Sequence, residues 1–189
     1  MMPLLPAHYA VSEALVALAS AWGMAKLMPK NRLGALALLP FGLAGLLGVI
    51  RISAGPNGLI VPCHQFMSRS GAIFGLVCLL GGLSPQRDSR WIVAGLFVAA
   101  SATALPAIGM PLFGLVMLAI GVQAYRLSPI DRPVFAVAGL ALLPIAQLVA
   151  APLRSSFPDI AWHLFHVLVA IWLISTAAVL NFEGHSKRA

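Results

Sequence analysis

The chain is built almost entirely of long apolar stretches, each separated from the next by a short polar segment. An α-helix needs about twenty apolar residues to cross the ~30 Å hydrocarbon core of a membrane. Seven stretches of roughly that length are present, at residues 8–27, 33–51, 59–83, 91–108, 110–126, 133–152 and 159–181. The sequence therefore predicts an all-α, polytopic membrane protein in which residues 1–189 form one bundle of seven transmembrane helices.

The composition supports a membrane protein and argues against a soluble one. Hydrophobic residues make up 60% and charged residues 9% of the chain, whereas a soluble domain carries roughly a quarter charged residues. A net charge of +7 would suggest a nucleic-acid partner for a soluble protein, but membrane sidedness explains it better here. We therefore expect membrane lipids and no nucleic acid as partners, and we leave open an oligomer or a larger membrane complex.

The basic residues predict the orientation of the bundle. If the N-terminus lies outside, nine of the twelve basic residues fall in the inner segments: Lys26, Lys30, Arg32, Arg87, Arg90, Arg126, Arg132, Lys187 and Arg188. Arg51 and Arg154 would then lie outside, and Arg69 within the third span. Because basic residues concentrate in cytoplasmic loops, we predict an outside N-terminus and a cytoplasmic C-terminus, in a bacterial-type inner (plasma) membrane.

Many of the remaining polar side chains gather near the outer ends of the predicted spans. They are His8, Ser12 and Glu13 on the first span, Arg51 on the second, Cys63, His64, Ser68 and Arg69 on the third, and Asp159, His163 and His166 on the seventh. Ionisable groups in a membrane are costly unless they face protein or water. Their concentration at one depth predicts a polar pocket that opens to the outside, with Glu13 and Arg69 as counter-ions across a helix pair.

The start of the seventh span has the spacing of a metal site. At ~100° per residue, Asp159, His163 and His166 fall within an arc of about 60°, so two imidazoles can approach one ion. The third span could supply another nitrogen from His64, which makes His64, His163 and His166 the candidate metal ligands. Three protein ligands and a water are typical of catalytic zinc, which lowers the pKa of the bound water towards about 7.

The fourth ligand and a purely structural alternative are both open. Asp159, Glu13, Cys63 or a water could complete a tetrahedral site. Alternatively, the histidines bond to one another, to backbone carbonyls, or to Tyr9 and Ser12, and serve only to hold the helices together.

One segment resembles a known family. The sequence "WHLFHVLVAIW" (Trp162–Trp172) resembles the last-helix motif of the superfamily of alkaline ceramidases and progestin/adiponectin-receptor-like proteins. That resemblance implies a zinc-dependent membrane hydrolase that cleaves lipid amides. It also implies zinc ligation by the three candidate histidines, with Ser68 or Ser12 assisting at the metal-bound water. The candidate catalytic residues are therefore Ser68, Glu13 and Asp159, with Glu13 substituting for an acid that the family carries in an early or middle helix.

Two other functions fit the same residues. A b-type haem could be held by two imidazoles from different helices, His64 with either His163 or His166. Room for the macrocycle would come from small residues of the third span, namely Gly71, Ala72 and Gly75. The chain could instead be a non-enzymatic transporter or membrane subunit, because its mid-membrane prolines are compatible with a transport path.

Overall fold

The computed structural model describes residues 6–55, 58–127 and 133–186. Three residues that contribute to the predicted orientation, Arg132, Lys187 and Arg188, lie outside these ranges. Every regular element within the described ranges is helical: α1 (Tyr9–Leu27), α2 (Arg32–Ala54), α3 (Ile60–Phe66), α4 (Ala72–Leu83), α5 (Arg90–Ala104), α6 (Pro106–Leu127), α7 (Pro133–Leu153) and α8 (Pro158–Ser186). A π-helical turn, Met67–Gly71, joins α3 to α4 in one continuous rod. The predicted all-α fold is confirmed.

Six described helical segments are long and apolar enough to cross a membrane: Tyr9–Leu27, Arg32–Ala54, Ile60–Leu83, Pro106–Arg126, Ala136–Leu153 and Pro158–Asn181. The remaining helix, α5, has 15 residues and reaches only about 22 Å at ~1.5 Å per residue. It ends at Ala104, earlier than the predicted residue 108, because Leu105 precedes a proline and is disfavoured from helical geometry. Pro106 then opens α6, where its missing N–H is harmless. The helices are thus compatible with a multi-pass membrane protein of six to seven spans.

The bundle is organised around α1, α2 and α8. Helix α1 contacts both α2 and α8, while α7 packs on α8 and α4 packs on α2. Helices α5 and α6 pack against α4, and α6 also contacts α7. In the core, the buried indole of Trp172 donates a hydrogen bond to the Leu140 carbonyl oxygen at 3.1 Å, which ties α8 to α7.

Three glycines of α2, Gly42, Gly45 and Gly48, recur at every third position and let α1 approach closely. A Cβ atom at Gly45 would lie 2.7 Å from the Glu13 carbonyl oxygen and 2.9 Å from the Ala17 nitrogen. Backbone atoms cannot move aside as the tip of a side chain can, so the close packing of α1 on α2 depends on this glycine. The contact also holds Glu13 against α2.

The two ends of the bundle differ in character. We call the end at which α1, α3 and α8 begin the polar end. At the opposite end, the buried Asn31 side chain accepts a hydrogen bond from the Gly34 nitrogen at 2.9 Å and so caps α2. Its Nδ2 also donates to the Gly82 carbonyl oxygen at 3.0 Å. One side chain therefore both starts α2 and ties it to α4.

Candidate functional site

Glu13 is the centre of the polar end. Its side chain is 3% exposed, and its carboxyl packs against Gly48 of α2, where a Cβ atom would collide with it. The carboxyl oxygen Oε1 lies 3.4 Å from Nε2 of His166 and 3.6 Å from Nε2 of His64. Within the described part of the chain, Oε1 has no hydrogen-bond partner. Its contacts with the two imidazoles are longer than the usual N–H···O hydrogen bond of about 2.7–3.2 Å. We call Glu13, His64 and His166, from α1, α3 and α8, the Glu13 cluster.

The position of the proton on the His166 ring follows from its hydrogen bond. Nδ1 lies 2.7 Å from the carbonyl oxygen of Trp162, one turn earlier on α8. Because a carbonyl oxygen can only accept, Nδ1 is assigned the proton. In a neutral ring, Nε2 then presents a lone pair, and this is the atom that faces the Glu13 carboxyl. Two facing lone pairs repel each other, so a proton on either side of this contact stabilises it.

His64 reaches the cluster from a helix whose register changes just beyond it. The helix is α-helical up to Phe66, and the π-helical turn Met67–Gly71 follows directly. A π turn inserts one extra residue and so rotates the helix after the turn relative to the helix before it. The side chains on its two sides therefore face different directions than they would on an unbroken α-helix. Here His64 faces Glu13, while Gly75 beyond the turn packs against α2.

A second group of polar side chains lies nearer the starts of α1 and α8. His163 Nδ1 is 3.1 Å from Ser12 Oγ. The Ser12 hydroxyl donates to the Tyr9 carbonyl oxygen at 3.1 Å, so the Ser12 oxygen is left to accept from His163. The Tyr9 hydroxyl donates to Oδ1 of Asp159 at 2.5 Å. We call Tyr9, Ser12, Asp159 and His163 the Tyr9 network, and it ties α1 to α8.

The structure divides the predicted metal ligands between these two groups. His64 and His166 both face Glu13, whereas His163 contacts Ser12. Within residues 6–55, 58–127 and 133–186, no group of three or more histidine, cysteine or acidic side chains is arranged to hold a metal ion. The side chains as they stand do not form a zinc site, and zinc binding stays a prediction from the sequence.

The predicted catalytic residues are dispersed in the same way. Glu13 lies in the Glu13 cluster, and the exposed Asp159 bonds to Tyr9. Ser68 is also exposed, and its hydroxyl donates to the His64 carbonyl oxygen at 2.7 Å, within its own helical rod. Ser12, the other serine considered for assistance at a metal-bound water, belongs to the Tyr9 network.

Two expectations about the third span change with the structure. Arg69 is exposed, and the polar neighbours of the Glu13 carboxyl are the two histidines in place of this arginine. The glycines expected to leave room for a haem are instead packed against α2. A Cβ atom at Gly71 would lie 3.2 Å from Pro40, and one at Gly75 would lie 2.5 Å from the Ala37 carbonyl oxygen. These glycines therefore serve helix packing.

Trp162 links the two groups, although in the sequence it is only one residue of the motif Trp162–Trp172. The Tyr9 ring stacks on its indole with 4.6 Å between centroids and 10° between planes. The His166 ring centroid lies 4.7 Å away, and the guanidinium carbon of Arg51 lies 5.8 Å from the indole centroid. The spacing of four residues between Trp162 and His166, which places both on one helix face, is the signal that could have identified it.

Comparison with protein-family models, with curated proteins and with solved structures finds no match for this chain. The resemblance of Trp162–Trp172 to the ceramidase-like superfamily therefore stays a prediction that depends on that motif. The chemistry of the site is therefore the basis for the function proposed below.

Proposed function

We propose that this chain is a multi-pass membrane protein that binds and releases a proton at the Glu13 cluster and couples that proton to transport. The observation that supports the proposal is the 3.4 Å contact between Glu13 Oε1 and His166 Nε2, formed by a carboxyl that is almost entirely shielded from solvent. Acidic and histidine side chains inside the membrane often form the proton relays of pumps and transporters.

Protonation makes the cluster electrostatically favourable. With Nδ1 of His166 committed to a carbonyl, an unprotonated cluster sets a carboxylate against an imidazole lone pair. Breaking the pairing of a buried charge costs about 3–5 kcal/mol. One added proton converts the contact into a carboxylic acid that donates to Nε2, or into an imidazolium that donates to the carboxylate. His64 also contacts Oε1, so its Nε2 atom is a second nitrogen with which the proton can be shared.

We place the exchange of this proton on the outer side of the membrane. The distribution of basic residues predicts that the polar end faces outside. The imidazoles of His64 and His166 are 13% and 12% exposed, whereas the Glu13 side chain is 3% exposed. The imidazoles are therefore the groups through which a proton would reach Glu13.

The experiment that tests the proposal is proton uptake by the purified full-length protein. A weakly buffered detergent solution is shifted from about pH 8 to about pH 5.5, the range in which histidine-containing sites titrate, and the uptake is followed with an indicator dye. The wild type should bind about one proton more than Glu13→Gln, because glutamine keeps the shape of the side chain but cannot take up the proton. Equal uptake by the two proteins would overturn the proposal.

Asp88→Asn is the matched control for removing a carboxyl group. Asp88 lies in the loop before α5, and the Arg90 guanidinium, 2.6 Å from its Oδ2, holds the pKa of that carboxyl below its usual value. A lowered pKa keeps Asp88 ionised throughout the range from about pH 8 to about pH 5.5. Its removal should therefore leave the measured uptake unchanged.

The zinc-dependent lipid-amide hydrolase is the alternative that the same preparation tests. Elemental analysis that finds about one zinc per chain, lost in both His64→Ala and His166→Ala, would show that this cluster binds zinc in place of a proton. The hydrolase implied by the resemblance would then be the better proposal. A Soret band in the absorption spectrum would favour haem in the same way.

A further inference from the structure

Two hydrogen-bond donors at the polar end are shielded from solvent and have no acceptor among the described residues: Nε of Arg51 and Nε1 of Trp162. The two side chains are neighbours, with the guanidinium carbon 5.8 Å from the indole centroid. Buried donors in folded proteins are nearly always satisfied, so each exception calls for an explanation. Two unmet donors on adjacent side chains, one of them cationic, point to an anionic acceptor.

These donors lie on α2, which packs against the Glu13 carboxyl, and on α8, which carries His166. Gly48, which packs against the Glu13 carboxyl, precedes Arg51 by three residues and so lies on the same face of α2. Trp162 precedes His166 by four residues on α8, and their rings are 4.7 Å apart. Arg51 also lies in the last turn of α2, which ends at Ala54. In a membrane-spanning helix, that position is at the depth of the lipid headgroups.

We propose that Arg51 and Trp162 bind a phosphate group that carries a single negative charge. The guanidinium fork matches the oxygens of a phosphate, and the indole N–H can donate while its ring remains stacked on Tyr9. The phosphate belongs either to a lipid headgroup or to a free phosphate ester, since both present the same oxygens. This binding does not depend on the proposed function.

The test uses the full-length protein in maltoside micelles, which contain no phosphate. The probes are dimethyl phosphate and a short-chain phosphatidylglycerol, because each carries one negative charge at neutral pH. Calorimetric titration should show binding to the wild type that weakens at least about tenfold in Arg51→Gln and in Trp162→Phe, since each variant loses a donor to a charged acceptor. Trp162→Phe keeps an aromatic ring beside Tyr9. Arg154→Gln, which removes an exposed charge before α8, should bind as the wild type does.

The outcomes separate this inference from the proposed function. Binding of both probes assigns a free phosphate ester, binding of the lipid alone assigns a headgroup, and each result supports the site. No binding of either probe to the wild type, or unchanged affinity in both Arg51→Gln and Trp162→Phe, overturns it. Binding that depends on Arg51, in a protein that takes up no proton at Glu13, would retain the phosphate site and remove the proposed function.

Discussion

Substitution of Gly48 by alanine tests the contact that positions the Glu13 carboxyl. The added Cβ atom would lie 2.5 Å from Oε1 and 2.6 Å from Oε2 of Glu13, whereas non-bonded heavy atoms prefer separations of roughly 3.5 Å. The carboxyl group must therefore withdraw by roughly 1 Å. Because Oε1 now lies 3.4 Å from His166 Nε2 and 3.6 Å from His64 Nε2, a shift of that size changes both contacts.

The energetic cost follows from the type of atom that is displaced. Adding a methyl group to a well-packed site costs about 1–3 kcal/mol. The clash at Gly48 is with the end of a side chain, which can rotate, so we expect a loss of about 2 kcal/mol in the free energy of unfolding. The rotation changes the contacts of the carboxyl with both imidazoles, so proton uptake at Glu13 should change as well.

The assay is reversible unfolding of the detergent-solubilised protein by sodium dodecyl sulfate, followed by circular dichroism, with proton uptake measured on the same sample. Gly114→Ala is the control, because a Cβ atom at Gly114 meets no atom within 4 Å. Alanine is favoured over glycine in a helix by about 1 kcal/mol, so this variant should be at least as stable as the wild type. Unchanged stability and unchanged proton uptake in Gly48→Ala would refute the role assigned to Gly48.

Two further predictions concern the opposite end of the bundle and the Tyr9 network. Asn31→Ala should lower the free energy of unfolding by about 1–3 kcal/mol, because the Gly34 nitrogen and the Gly82 carbonyl lose their buried partner. The exposed neighbour substitution Lys30→Ala should change it by less than about 0.5 kcal/mol, and a similar effect of both would contradict the role of Asn31. His163→Ala should retain proton uptake at Glu13 and His166→Ala should lose it, since His166 contacts Glu13 whereas His163 contacts Ser12. Equal loss in the two variants would show that the Tyr9 network takes part in holding the proton.

The positions of the helices were readable from the sequence because membrane thickness sets the length of an apolar stretch. The predicted spans 33–51 and 133–152 correspond to Arg32–Ala54 and Pro133–Leu153. The exception is the fourth predicted span, which ends at Ala104 because of Pro106. The orientation of the bundle, with its N-terminus outside, stays a prediction from the distribution of basic residues.

The sequence predicted which residues of the site lie at a similar depth, but not which side chains contact one another. Glu13, His64 and His166 were expected near one level, and their side chains do meet. The sequence could not separate His163 from His166, because both lie on one face of α8. On α1, Ser12 contacts His163 and the adjacent Glu13 contacts His166. This pairing depends on how the two helices are rotated against each other.

Apolar length and the content of polar residues, both properties of the linear chain, determined that this protein is a helical bundle compatible with a membrane and that its histidines cluster towards one end. Only the tertiary structure decided that Glu13 contacts two imidazoles while Arg69 is exposed, and that Arg51 lies beside Trp162. Those contacts depend on the close approach of α1 to α2 at Gly45 and Gly48 and on the π-helical turn after His64. The physical reason is that helix length follows from local hydrophobicity, whereas side-chain partners follow from helix rotation and separation, which all the packed surfaces determine together.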